Sequence, residues 1–200
     1  MDWVKSLSKS AGLDEGYYAI PQQPYAVLFF YNKTLFDKAG ITSVPKNWQE
    51  YLSACDALKK SGVAPVTFDD AYRSLFIGSY FGSAMGHEWT DKLVMDKTGE
   101  MWKDPMVLQF AKDMVTLRDK GYFHNKIAGN KYPAGQQDLA LGDAAMYLNG
   151  TWLPNEVSAT AGADFKWGSF QFPEVSNGNG KGGLQGLTFG AQGLLINKNS

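Results

Sequence analysis

Few residues in this chain have the type and spacing that chemistry needs. The two histidines, His87 and His124, lie far apart, and neither has a Cys, a carboxylate or a second His at metal-ligand spacing. His87-Glu88 lacks the second histidine of an H-E-x-x-H zinc helix, so no metal site is assigned. The single cysteine, Cys55, falls on the apolar face of a predicted helix, where a packed core thiol is expected. No G-x-S-x-G nucleophile elbow occurs. Asp69 and Asp70 are adjacent carboxylates after an apolar run. Acid–base cleavage of a glycosidic bond needs two carboxyl groups about 5–9 Å apart, a geometry that sequence neighbours do not fix. On residue type alone they read as a helix N-cap and an exposed carboxylate. No catalytic residue and no cofactor is expected.

Three further patterns carry no function. Asn32-Lys33-Thr34 and Asn149-Gly150-Thr151 fit the glycosylation acceptor pattern but sit inside blocks with a better explanation, given below. Pro21-Gln22-Gln23-Pro24 fits P-x-x-P but leads straight into a core strand. Ser176–Gly186 is rich in glycine, yet Lys181 is followed by Gly182 and Gly183, which breaks the order of a phosphate-cradling loop. It reads as a surface loop.

The elements that must position a site follow from pattern. Ala26–Tyr31 is a continuous apolar run, expected as a buried strand. Thr34–Ala39 turns helical and stops at Gly40. Asn47 and Glu50 have capping-box spacing ahead of a helix with Trp48, Leu52, Cys55 and Leu58 on one face, ended by Gly62. Strands are predicted at Ala64–Phe68, Ala144–Leu148, Phe165–Phe172 and Leu194–Asn197. Helices are predicted at Val4–Ala11, Tyr72–Ala84 and Ala134–Leu141, and at Trp152–Ala159 with a break at Pro154. Another starts at Asp104-Pro105, an N-cap with proline at N1, and closes at Gly121. Strands alternating with helices imply an α/β fold with a mixed sheet covered on both faces.

Composition narrows the function. The chain has 200 residues, of which 44% are hydrophobic and 14% aromatic, enough for a packed core. The net charge of −1 lacks the clustered basic excess of a nucleic-acid binder. No apolar run approaches the ~20 residues of a membrane span. Against this neutral background the aromatic residues stand out. Tyr25, Tyr72 and Trp152 fall at element ends, and open α/β sheets bind ligands beyond the carboxyl ends of their strands. A sugar ring offers apolar C–H faces to flat aromatics and a rim of hydroxyls to planar polar groups.

Three blocks resemble the extracellular solute-binding proteins of carbohydrate ABC transporters. The first comprises Tyr18–Pro21, the aromatic strand ending Phe30–Lys33, Leu35–Ile41 and Pro45–Glu50. The second is Leu141–Met146 followed by Asn149-Gly150-Thr151-Trp152. The third is Gly193–Ser200. They occur in family order along nearly the whole chain. The resemblance implies a periplasmic-binding-protein-like type II fold and non-covalent capture of a mono- or oligosaccharide for an ABC permease, outside the membrane and without catalysis. It implies that Trp152 stacks on the sugar and that Tyr25, the Asp69, Asp70, Tyr72 and Arg73 loop and Gly186 reach the ligand. It also implies an organisation: residues 1–27 as remnant of a first lobe with a crossover strand, 28–187 as the second lobe, and 188–200 as the returning crossover. On this reading the chain is an internal fragment, and Met1–Val4 shows no secretory signal. Pro21–Val27 and Leu187–Ile196 should then run side by side. Two alternatives stay open: a binder of a non-sugar solute such as a peptide or polyamine, marked by an acidic site with few aromatics, and a sugar hydrolase with two opposed carboxylates.

Overall fold

The computed structural model describes residues 12–16, 18, 20–175 and 187–194. The helix predicted at Val4–Ala11, the loop Ser176–Gly186 and the last three residues of the strand predicted at Leu194–Asn197 lie outside the described residues. The chain divides into two compact units, one of Met1–Ala26 with Phe189–Ser200 and one of Val27–Thr188.

The apolar run at Ala26–Tyr31 is the middle of a longer strand, β1 (Ile20–Asn32). Pro21 and Pro24 do not stop it, because proline lacks only the N–H and is tolerated at an edge or irregularity. The pairing shifts between Pro21 and Gln23, and among the described residues this half of β1 pairs only with β5 (Phe189–Leu194). In the first unit these two strands form an antiparallel ribbon, with Ile20 opposite Leu194, Tyr25 opposite Gly190 and Ala26 opposite Phe189. The two segments expected to run side by side therefore do so, as far as they are described.

The second unit carries the rest of β1, α1 (Lys33–Lys38), α2 (Trp48–Lys60), β2 (Ala64–Thr67), α3 (Arg73–Met85) and α4 (His87–Met95). A 3-10 turn at Met101–Lys103 leads to α5 (Pro105–Asp119), α6 (Ala134–Leu141), β3 (Ala144–Gly150), α7 (Leu153–Glu156), α8 (Ser158–Ala161) and β4 (Trp167–Phe170). The capping signals at Asn47 and Asp104 act as expected, and Asn32 caps α1 as well. Asn32 accepts from the Thr34 and Leu35 N–H groups, Asn47 from the Glu50 N–H and Asp104 from the Met106 N–H. Glu50 reaches back to the Lys46 N–H. Pro154 does not break the helix after Trp152. It lies in the first turn of α7, where its missing N–H costs nothing, and the break comes at Val157. One helix without a sequence signal, α4, starts from Gly86 at φ +86° with no side-chain cap.

Strand order in this unit is β2-β3-β1-β4, with β2 and β3 parallel and β1 antiparallel to both β3 and β4. The sheet is mixed, as predicted. Alternation along β1 sends Phe29 to one face and Phe30 to the other. Phe29 is fully buried and stacks on Phe170 at 5.1 Å, with Tyr51 and Phe76 around it. Phe30 joins Leu139, Tyr147, Leu153 and Val157 in the second layer. Each buried Phe contributes about 1.5–3 kcal/mol of burial free energy. With a core on each face, β1 cannot slip by one residue without exchanging both.

Candidate functional site

The carboxyl ends of the parallel pair β2 and β3 collect the polar and aromatic residues that lack a role in the core. Thr67 pairs in register with Tyr147. Two residues further on, Asp69 and Asn149 are both completely buried. Asp69 Oδ2 accepts a hydrogen bond of 2.8 Å from the Tyr147 hydroxyl. Burial, then the bond to Asp69 and its charge, push the Tyr147 phenol well above its ordinary pKa. Asp69 Oδ1, Asn149 Nδ2 and Gln136 Oε1 are buried with no hydrogen-bond partner among the described residues. Buried polar atoms are nearly always paired, so such a concentration marks a place where another polar group belongs.

Backbone packing explains how Asp69 comes to be buried. Gly135, in the first turn of α6, lies so close that a Cβ there would be 2.7 Å from the Phe68 carbonyl carbon and 2.9 Å from the Asp69 nitrogen. Only glycine lets α6 cover the end of β2 in this way. A second anchor is Asp138 on α6, whose Oδ2 accepts from Thr67 Oγ1 and Asn130 Nδ2, each at 2.8 Å. His124 Nδ1 lies 3.2 Å from the same oxygen, bringing one histidine to a carboxylate that sequence spacing does not reveal. Among the described residues no group of three or more His, Cys, Asp or Glu could hold a metal ion. His87 is exposed at the start of α4, and Cys55 is buried in α2 with its thiol pushed well up by desolvation.

In front of the buried carboxylate stand three aromatic rings. Tyr72 lies 6.1 Å from Trp152 and 5.8 Å from Tyr132 between ring centroids. Tyr72 and Trp152 are both half-buried. Desolvation first, then the charge of Glu156, raise the Tyr72 phenol. Gly150 has a definite purpose. A Cβ there would meet three carbons of the Trp152 six-membered ring within 2.5 Å, so the space that Gly150 leaves is filled by Trp152 itself.

The remaining expected site residues are distributed as follows. Asp70 is exposed, accepts from the Tyr132 N–H at 2.9 Å and pairs with Lys131 at 2.9 Å. The bond from Lys131, then that from Tyr132, hold its carboxyl below the usual range. Neither carboxylate caps α3, whose N-cap is Tyr72 without a side-chain bond. Arg73 follows Tyr72 in sequence but lines a separate apolar groove between α3 and α5. Tyr25 belongs to the first unit, where its ring covers Gly190. Gly186 lies outside the described residues. Sequence reading missed Tyr132, Gln136 and Asn149. Asn149 had a signal, a polar residue directly after the run Ala144–Leu148; Tyr132 and Gln136 had none.

This mixed α/β unit has the periplasmic-binding-protein-like type II fold, as its likeness to solved solute receptors shows. The model of the family described as bacterial extracellular solute-binding protein matches residues 2–200, and the chain belongs to that family. A putative binding protein of Brucella abortus is 25% identical over 186 residues, 93% of this chain and 44% of that protein. The diacetylchitobiose binding protein NgcE of Streptomyces coelicolor is 30% identical over 142 residues, 68% of this chain and 30% of that protein. Among solved structures, a chitin oligosaccharide binding protein is similar with a TM-score of 0.74 at 27% identity, covering 98% of this chain and 53% of that one. The bacterial solute receptor AcbH gives a TM-score of 0.74 at 26% identity, covering 99% of this chain and 49% of that one. The chain thus spans about half the length of these two structures, and 44% and 30% of the two curated relatives.

Proposed function

We propose that this chain supplies one wall of an extracytoplasmic receptor that binds a mono- or oligosaccharide and hands it, chemically unchanged, to an ABC permease. The observation that carries the reading is the pairing of Tyr72 and Trp152 at the ends of β2 and β3, in front of the buried Asp69. Aromatic faces cover the C–H surface of a sugar ring, and a carboxylate and amides serve its hydroxyls. The relatives support the substrate class: the structures named above are described as binding chitin oligosaccharide and as preferring β-D-galactopyranose.

In this proposal Trp152 and Tyr72 stack on the ligand, and Asp69 and Asp70 line the polar side. Residues 28–187 form one lobe, with 1–27 and 188–200 as crossovers to a second. The resemblance adds Tyr25 and Gly186 as contacts. The receptor works outside the cytoplasmic membrane, and hinge motion at the crossovers closes it on the sugar.

Titration calorimetry tests this, with full-length protein and this chain measured side by side against neutral mono- and oligosaccharides, a peptide mixture and spermidine. The full-length protein is expected to bind one sugar class at micromolar strength, about −8 kcal/mol. The isolated chain, with one wall of the site, should bind at millimolar strength, about −4 kcal/mol, or not at all. Saturable binding of peptide or spermidine with no response to any sugar overturns the proposal.

A further inference from the structure

The groove lined by Arg73 is chemically unlike the site beside Trp152. It has a volume of about 310 Å³ and is lined by Phe68, Phe76, Phe110, Met114 and Phe123 among others, with Arg73 as its one charged lining residue. This volume is at the lower end of those that hold small molecules, and such pockets pair an apolar lining with a few polar groups that orient the ligand. Nothing in the groove offers the hydroxyl-binding amides or carboxylates that a sugar needs. The groove is also built into the fold. Phe68 follows β2, Phe76 is buried in α3 against it at 5.1 Å, and Phe123 touches Phe68 at 6.1 Å. Arg73 is the first residue of α3, where the positive end of the helix adds to its own charge.

We infer that this groove is a second ligand site, which takes a small amphipathic carboxylate. An aryl or short alkyl chain lies on the phenylalanine and methionine wall, and its carboxylate meets the Arg73 guanidinium. A planar guanidinium bonds a carboxylate in bidentate fashion, so charge and shape agree on the ligand class. Phe68 and Arg73 bracket the segment that carries Asp69 and Tyr72, so an occupant here contacts both ends of the turn that presents the aromatic site.

The test uses this chain and two matched pairs of probes: 3-phenylpropionate with 3-phenylpropanamide, and octanoate with octanol. Binding is read by ligand-observed NMR and by calorimetry. At least one carboxylate should bind saturably, at least tenfold more tightly than its neutral partner. Arg73→Gln should remove that preference. Met114→Trp, which fills the groove, should remove binding of both members while the far-UV circular dichroism and thermal midpoint stay near those of the parent. Should either variant fail to fold, the preference for carboxylate over neutral partner in the parent decides alone. No binding by either carboxylate up to its solubility limit overturns the inference. Equal affinity of acid and neutral partner does so too, because it leaves only an apolar face that another macromolecule could cover.

Discussion

Gly150→Ala is the sharpest available probe of how the site is built. Gly150 does not have a positive φ, so alanine fits its backbone without strain. The obstacle is one side chain, since the new methyl would meet the Trp152 ring within 2.5 Å. Overpacking of this kind costs about 1–3 kcal/mol. Removing glycine from a strand returns about 0.5–1 kcal/mol of backbone entropy. The single variant should therefore be destabilised by ~1–2 kcal/mol. In a Trp152→Ala background the obstacle is gone, and the same substitution should be neutral or stabilising by up to about 1 kcal/mol. The coupling between the two positions is then ~1–3 kcal/mol, at the upper end of what neighbouring residues show. Urea denaturation of the four proteins, followed by far-UV circular dichroism, measures it. Equal destabilisation by Gly150→Ala with and without Trp152 would refute the reasoning. In full-length protein each single variant should also weaken sugar binding by about 1–3 kcal/mol, the usual loss for a stacking aromatic.

Three further outcomes follow from the same structure. Tyr147→Phe removes the one hydrogen bond that the Asp69 carboxylate has among the described residues and should cost ~2–3 kcal/mol in a denaturant titration; an unchanged midpoint would show that Asp69 has another partner. Burial raises the phenols of Tyr51, Tyr80 and Tyr147 above their ordinary value of 10.0, so the folded state keeps protons that the unfolded chain loses above that pH. Stability should start to fall near pH 9, where the unfolded chain loses the proton that buried Cys55 keeps, and fall more steeply above about pH 10, by ~1.4 kcal/mol per pH unit for each such tyrosine, with a shallower fall in Tyr147→Phe. Gly135→Ala drives a methyl against the Phe68–Asp69 backbone, which cannot rotate away, and should cost ~2 kcal/mol or more by thermal melting.

What the sequence disclosed was local. Asn47 with Glu50, Asp104 with Pro105 and the apolar run in β1 each state their role within a few residues, because capping and burial act over that range. Tertiary pairing overrode local signals elsewhere. β1 continues through two prolines because β5, more than 160 residues away, pairs with it. α4 forms without a cap because Thr90 and Leu93 are buried. For the site, Tyr72 and Trp152 were legible as aromatics at element ends, and their pairing is a fact of the fold. Asp69 looked like a cap. Its burial depends on Gly135 and Tyr147, neither of which is near it in sequence. Tyr132 and Gln136 became part of the site only through α6 and the segment before it.

The position of β1 has a consequence for biosynthesis. Among the described strands of the sheet it leaves the ribosome first, yet it sits between β3 and β4, and Leu28 must wait for Asn149, about 120 residues further along. At the usual rate of about 5–20 residues per second this delay is roughly 6–24 s. During that interval the run Ala26–Tyr31 lacks the strand partners that fix its register, although Tyr51 and Phe76, which pack on Phe29, emerge sooner; its unpaired edges invite capture by a holdase and discourage premature folding. For a member of an extracellular family such a delay is useful, because a chain that has not yet closed its sheet can still be threaded through a membrane.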